Sequence, residues 1–170
     1  ILVENMGRIN YGSEIVHNTK GIISPVVING QEITGNWEMY QLPMSQMPDF
    51  STMGRSALNN GSAQAKRLQG CPVIYEGTFT LDETGDTFIN MENWGKGIVF
   101  VNGHNLGRYW YVGPQQTLYV PGCWLNKSEN EILILDVKGP QENKLCGHEK
   151  PILDALRNPE LVRELGFDSA

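Results

Sequence analysis

Asn102-Gly103 ends a β-branched run, Gly97-Ile98-Val99-Phe100-Val101, and leads at once into His104-Asn105-Leu106-Gly107-Arg108-Tyr109-Trp110. Few dipeptides constrain a chain so tightly. The two-residue turn that matches the twist of paired strands needs φ > 0 at both central positions, and Asn and Gly reach that region most easily. The stretch therefore predicts an antiparallel hairpin. The run beyond it, Gly113-Pro114-Gln115-Gln116-Thr117-Leu118-Tyr119-Val120-Pro121-Gly122, predicts a further strand between turns.

Strand signals continue on both sides. In Val73-Ile74-Tyr75-Glu76-Gly77-Thr78-Phe79-Thr80-Leu81 the residues Val73, Tyr75, Phe79 and Leu81 share one face, and Glu76, Thr78 and Thr80 the other. Thr87-Phe88-Ile89-Asn90-Met91 reads as the next strand. Glu131-Ile132-Leu133-Ile134-Leu135-Asp136-Val137 is apolar on both faces, as a strand covered on both sides should be. From Cys71 onward these runs recur every ten to fifteen residues or so, the spacing of an antiparallel sandwich.

Before Cys71 the pattern is different. Val26-Val27-Ile28 runs into a second Asn-Gly turn, Asn29-Gly30, and Trp37-Glu38-Met39-Tyr40-Gln41-Leu42 is a strand candidate stopped by Pro43, which cannot donate to a ladder. Residues 43–70 hold Pro, Met, Ser, Gln, Asn and Gly with no sustained period. They read as an irregular linker with a short helical turn near 63–68, and as the most mobile internal segment. At the other end Asn158-Pro159-Glu160 is a helix start and Gly166 a stop. Val26 to Trp37 echoes Val99 to Trp110 at equal spacing; a duplicated β-domain or two ordinary hairpins would both produce this.

The chain has 170 residues, enough for one domain with a core, or a domain plus a fragment. A net charge of −6 with no basic block argues against a nucleic-acid partner. No apolar stretch approaches the ~20 residues of a membrane span. The opening Ile1-Leu2-Val3 lies inside a strand-like run and reads as a fragment boundary, so a targeting signal would not be visible. Cys71, Cys123 and Cys146 fit no zinc spacing; incidental thiols, or one disulfide with a thiol left over, are the two readings. His17, His104 and His148 are isolated, so neither a metal nor a cofactor is expected.

The string VFVNGHNLGRYWYVGPQQTLYVPGCWL, together with ILVENMGRINYG at the start, resembles the C-terminal β-sandwich region of family 35 glycoside hydrolases, the β-galactosidases. The resemblance covers nearly the whole chain, most strongly residues 1–45 and 72–157. It implies an all-β, jelly-roll sandwich of the galactose-binding-domain-like kind, mostly antiparallel, with a short C-terminal helix. Residues 1–35 would close a preceding β-domain, residues 36–141 would form the sandwich with the linker 43–70 inside it, and residues 142–170 would be a tail. It also implies a parent enzyme, secreted, periplasmic or lysosomal-like, that hydrolyses terminal β-linked galactose with retention.

Catalysis in that family belongs to a (β/α)₈ barrel of roughly 200 residues or more, which nothing in this chain could build. No residue here matches either catalytic glutamate. Retention needs two carboxylates about 5–5.5 Å apart across a sugar, whereas Asp82-Glu83 and Glu129 with Glu131 sit by predicted turns. The expected role is a non-catalytic domain that packs on the barrel. The alternative is a module that binds galactose-containing glycans. Trp94, Asn105, Arg108, Tyr109, Trp110 and Gln115 are the residue types that stack on and hydrogen-bond to a pyranose. The competing reading has Tyr109 and Trp110 filling the core or an interdomain contact.

Overall fold

A computed structural model describes residues 1–4, 7, 9–46 and 71–156. The expected helical turn at 63–68, most of the linker 43–70 and the expected helix after Asn158 lie outside the described residues. The chain divides into two units, Ile1–Leu42 and Pro43–Ala170.

In the first unit a 3₁₀ turn at Ser13–Val16 precedes a minimal hairpin, β1 (Val27–Ile28) and β2 (Gln31–Glu32). Asn29 and Gly30 close it at φ 51° and 80°, as their sequence requires. No described residue of this unit is buried. A hairpin of this size does not stand alone in water, and Tyr11, Met39 and Tyr40 are almost fully exposed. The strand expected at residues 37–42 is not formed. Within the unit no described strand edge pairs with it, and the Tyr40 hydroxyl instead donates locally to Glu38 Oε2 at 2.6 Å.

The second unit is a sandwich of two antiparallel sheets. Its strands are β3 (Val73–Thr80), β4 (Thr87–Asn90), β5 (Lys96–Val101), β6 (His104–Trp110), β7 (Thr117–Val120), β8 (Glu129–Asp136) and β9 (Gly147–His148). One sheet runs β3-β8-β5-β6, the other β7-β4-β9. Val99, Val101, Ile132, Ile134 and Tyr109 face inward from the first, and Ile89, Leu118 and Val120 from the second. Met91, Trp94 and Leu125 fill the space between. Each such side chain contributes about 1.5–3 kcal/mol by leaving water. The all-β, jelly-roll expectation therefore holds.

β8 is the inner strand between β3 and β5, which explains its unbroken apolar run. Ile132 and Ile134 enter the core, and Leu133 is buried on the opposite face beside its register partner Phe100. The residue opposite Phe100 on β6 is Asn105, whose amide donates to the Met44 carbonyl, so the start of this unit lies against that outer corner.

The segment after residue 142, read from the sequence as a tail, is woven into the sandwich. β9 pairs with β4, and Leu145 packs against the core. Gln116 N donates to Ile152 O at 2.9 Å, and Ile152 N to Thr117 Oγ1 at 2.9 Å. The short strand at 147–148 contains a glycine and a histidine and carries no period-two signal, so only a partner strand reveals it.

Candidate functional site

One extra residue in β6 decides which side chains reach the surface. Phe100 pairs with Asn105 but Val99 pairs with Gly107, leaving Leu106 unpaired in a β-bulge with Gly107 at φ 109°. A bulge shifts the alternation of everything beyond it by one. Tyr109 consequently turns inward opposite Gly97. Arg108 and Trp110 turn outward, opposite Ile98 and Lys96.

Two of the six residues singled out for sugar recognition are committed to the interior, Tyr109 through this bulge and Trp94 through its place in the loop before β5. Trp94 is 3% exposed; its indole N–H donates to Lys144 O at 3.0 Å and Tyr75 packs on it edge-to-face at 5.1 Å. Tyr109 is 5% exposed, and its hydroxyl donates to Asp136 Oδ2 at 2.8 Å. Neither ring is open to a ligand, because the inner face of the sheet is the core. Asn105 is spent on local structure, its amide on Met44 O and its Oδ1 accepting Gly107 N at 2.7 Å. Gln115 is exposed and donates to Thr117 O at 2.8 Å. Arg108 and Trp110 alone among the six share one exposed face.

That face is the outside of the four-stranded sheet. Trp110 is 42% exposed, with the Lys96 ammonium 4.5 Å from its ring centroid. Next to it the register aligns Arg108, Ile98, Leu135 and Ile74 across all four strands; the three aliphatic side chains are half-buried. Trp110 is thus not a core residue, contrary to one of the two roles expected of it.

The outside of the three-stranded sheet has a different character. Tyr119 and His148 both stand in register with Phe88, so three rings from three strands form one row. Tyr119 and Phe88 have centroids 5.5 Å apart at 45°. The Tyr119 hydroxyl donates to Asp86 Oδ2 at 2.8 Å, and Gly122 N donates to Asp86 Oδ1 at 2.8 Å. These two bonds, that from Gly122 first, hold the Asp86 carboxyl below the usual carboxylate range, and the Tyr119–Asp86 bond pushes the Tyr119 phenol up. At the far end Asn90 Nδ2 lies 3.3 Å from His148 Nε2. Asn90 Oδ1 already accepts Glu92 N at 2.8 Å, so the amide offers N–H and the imidazole nitrogen accepts. Cys146 Sγ lies 3.4 Å from the same nitrogen.

Sequence reasoning missed Asp136. It is fully buried, and its two oxygens accept Gly95 N, Tyr109 Oη, Lys138 N and Gly139 N at 2.7–2.9 Å. Its charge adds to burial in pushing the Tyr75 phenol up. The available signal was an acidic residue at the end of the most apolar run. Cys71, Cys123 and Cys146 are free and exposed. Among the described residues no group of three or more His, Cys, Asp or Glu could hold a metal ion, and no helix is long and apolar enough to cross a membrane.

An all-β module with packed interior and two chemically distinct outer faces is the class that this architecture defines. Residues 72–130 match the family described as "Beta-galactosidase, galactose-binding domain", and residues 1–43 that described as "Beta-galactosidase, first all-beta domain". The chain is 39% identical to human Beta-galactosidase-1-like protein 2 over 96% of its own length and 23% of that protein's. It is 40% identical to Beta-galactosidase 1 of Dictyostelium discoideum over 80% of its length and 20% of that protein's. To Beta-galactosidase of Bos taurus it is 40% identical over 81% and 23%. The chain spans about a fifth of the length of these curated relatives. Residues 1–43 and 72–130 are thus each similar to a β-domain of β-galactosidases, and the resemblance to the β-sandwich region of those enzymes holds.

Proposed function

We propose that this chain is the non-catalytic C-terminal β-region of a family 35 enzyme that releases terminal β-linked galactose with retention, and that it docks on the catalytic barrel through the outer face of β3-β8-β5-β6. The observation that carries this reading is the composition of that face. A half-exposed Trp110 and Arg108 border an aliphatic band of Ile98, Leu135 and Ile74. Trp and Arg over a packed aliphatic centre are what dominate binding energy in protein interfaces. The names of the relatives and the share of their length that this chain spans agree with it.

The test places Ile98→Glu and Trp110→Ala separately in the full-length polypeptide and in the 170-residue chain. Lower melting and lower β-galactosidase activity of the full-length variants, with folding of the chain alone retained, is the expected result. Full-length variants that melt and turn over like wild type would remove the docking role. A second reading, a module that binds galactose-containing glycans, is favoured by the match to a galactose-binding domain family and by the row of rings on the other sheet.

A further inference from the structure

We infer that the outer face of β7-β4-β9 is a pyranose-binding platform, with Tyr119, Phe88 and His148 as its floor. The inference rests on the glycan-binding reading and moves the site away from the loop and strand residues expected from the sequence. Three rings lie in one cross-strand row. Neighbouring strands are about 4.8 Å apart, so the row spans the length of one or two sugar rings, with Tyr119 and Phe88 tilted 45° to each other. Tyr119 is the open end of that strip, 47% exposed.

Its chemistry differs from the docking face in the way that a sugar requires. No aliphatic residue stands in the row. Polar groups flank it instead: the Asp86 carboxylate at the Tyr119 end, with lone pairs beyond those bonded to Tyr119 and Gly122, and the Asn90 amide beside His148, with a second N–H to offer. The bond to Asp86 fixes the Tyr119 ring before any ligand arrives, which lowers the ordering cost of binding. The segment carrying Ile152 is pinned to Thr117 and borders the same side of the sheet. Aromatic faces with a few placed polar groups are the usual composition of small-ligand sites. Galactose suits such a floor, because its axial 4-hydroxyl leaves one ring face as unbroken hydrocarbon. The one carboxylate flanking the row, Asp86, is already held by Tyr119 and Gly122 and no Lys or Arg stands in the row, so the occupant is a neutral glycan.

The experiment is a titration of the isotope-labelled 170-residue chain with galactose and with a linear β-linked galacto-oligosaccharide, followed by amide NMR shifts. Saturable shifts centred on residues 86–90, 117–120 and 146–148 are expected, tighter for the oligosaccharide. Tyr119→Ala should weaken binding at least about tenfold, the equivalent of ~1.4 kcal/mol. Tyr119→Phe should retain most of it, and Trp110→Ala all of it. His148→Ala, read in the same way, guards against a Tyr119 variant that fails to fold. Saturable shifts centred on Arg108 and Trp110 would overturn the site while leaving the glycan-binding reading in place. No saturable shift with either sugar would overturn both. Concentration-dependent dimerisation lost in Tyr119→Ala would make the row a contact between copies and overturn the sugar assignment.

Discussion

The hydroxyl of Tyr109 donates to Asp136 Oδ2 at 2.8 Å, joining the two strands that flank β5 from inside the sandwich. Three backbone N–H groups converge on the same carboxylate, so it organises the loop at Gly95 and the turn at 138–139 as well. Asp136→Ala strands all of these donors. Each buried unpaired donor costs about 1–3 kcal/mol, so chemical denaturation should register a loss of at least about 3 kcal/mol. Tyr109→Phe removes one bond to a charged group and should cost about 1.5–3 kcal/mol. A near-neutral Asp136→Ala would mean that the loops re-form their bonds elsewhere.

A second buried polar centre sits at the other end of the strands. Asn102 donates to Trp124 O and to Asn130 Oδ1 at 2.7 and 2.8 Å, and accepts Glu131 N at 2.9 Å, all from a backbone at φ 47°. Asn102→Gly keeps the backbone and loses the bonds, at about 2 kcal/mol. Asn102→Ala adds the strain of a Cβ in the left-handed region, about 1–2 kcal/mol more. Equal melting temperatures for the two variants would show that the turn's φ does not set its residue preference.

The two buried-versus-exposed tryptophans should separate cleanly in thermal melting. Trp94→Ala empties a core position and should cost about 3–5 kcal/mol. Trp110→Ala loses chiefly the contact with Lys96, about 0.5–1 kcal/mol. Comparable losses for the two variants would mean that Trp110 also faces inward, as it would if β6 lacked its bulge.

The Asp86–Tyr119 bond has a defined pH window. Asp86 titrates lower in the folded protein, so its contribution is present above the unfolded carboxyl value of about 4 and fades as pH falls through the folded value. Tyr119 titrates higher when folded. Its contribution is complete below about 10 and is lost as pH rises through the folded value. The difference in stability between wild type and Asp86→Ala should therefore be flat from about pH 5 to 9 and shrink at both extremes. A difference that grew on acidification would contradict the geometry.

Purified chain should not turn over a chromogenic β-galactoside. The carboxyl of Asp86 is held low, the opposite of what a proton donor to a glycosidic oxygen requires. Turnover proportional to chain concentration, abolished by replacing a single Asp or Glu, would show that the chain carries its own catalytic pair.

Much of this architecture is legible in the residues because it is local. Asn29-Gly30 and Asn102-Gly103 both form the turns that their φ preferences demand. The alternation of β3 and the two-sided run of β8 predict their burial before any partner is known. What tertiary structure alone decided is everything that depends on register. The unpaired Leu106 sends Tyr109 inward and Trp110 outward, and no local pattern in HNLGRYW marks which residue the ladder will skip. β9 exists only because β4 offers an edge to Gly147 and His148. Tyr119, Phe88 and His148 come from three strands far apart in the chain, and their alignment follows from strand pairing over long loops. Local φ preference and side-chain period are properties of a few adjacent residues; register is a balance of contacts across the whole sandwich.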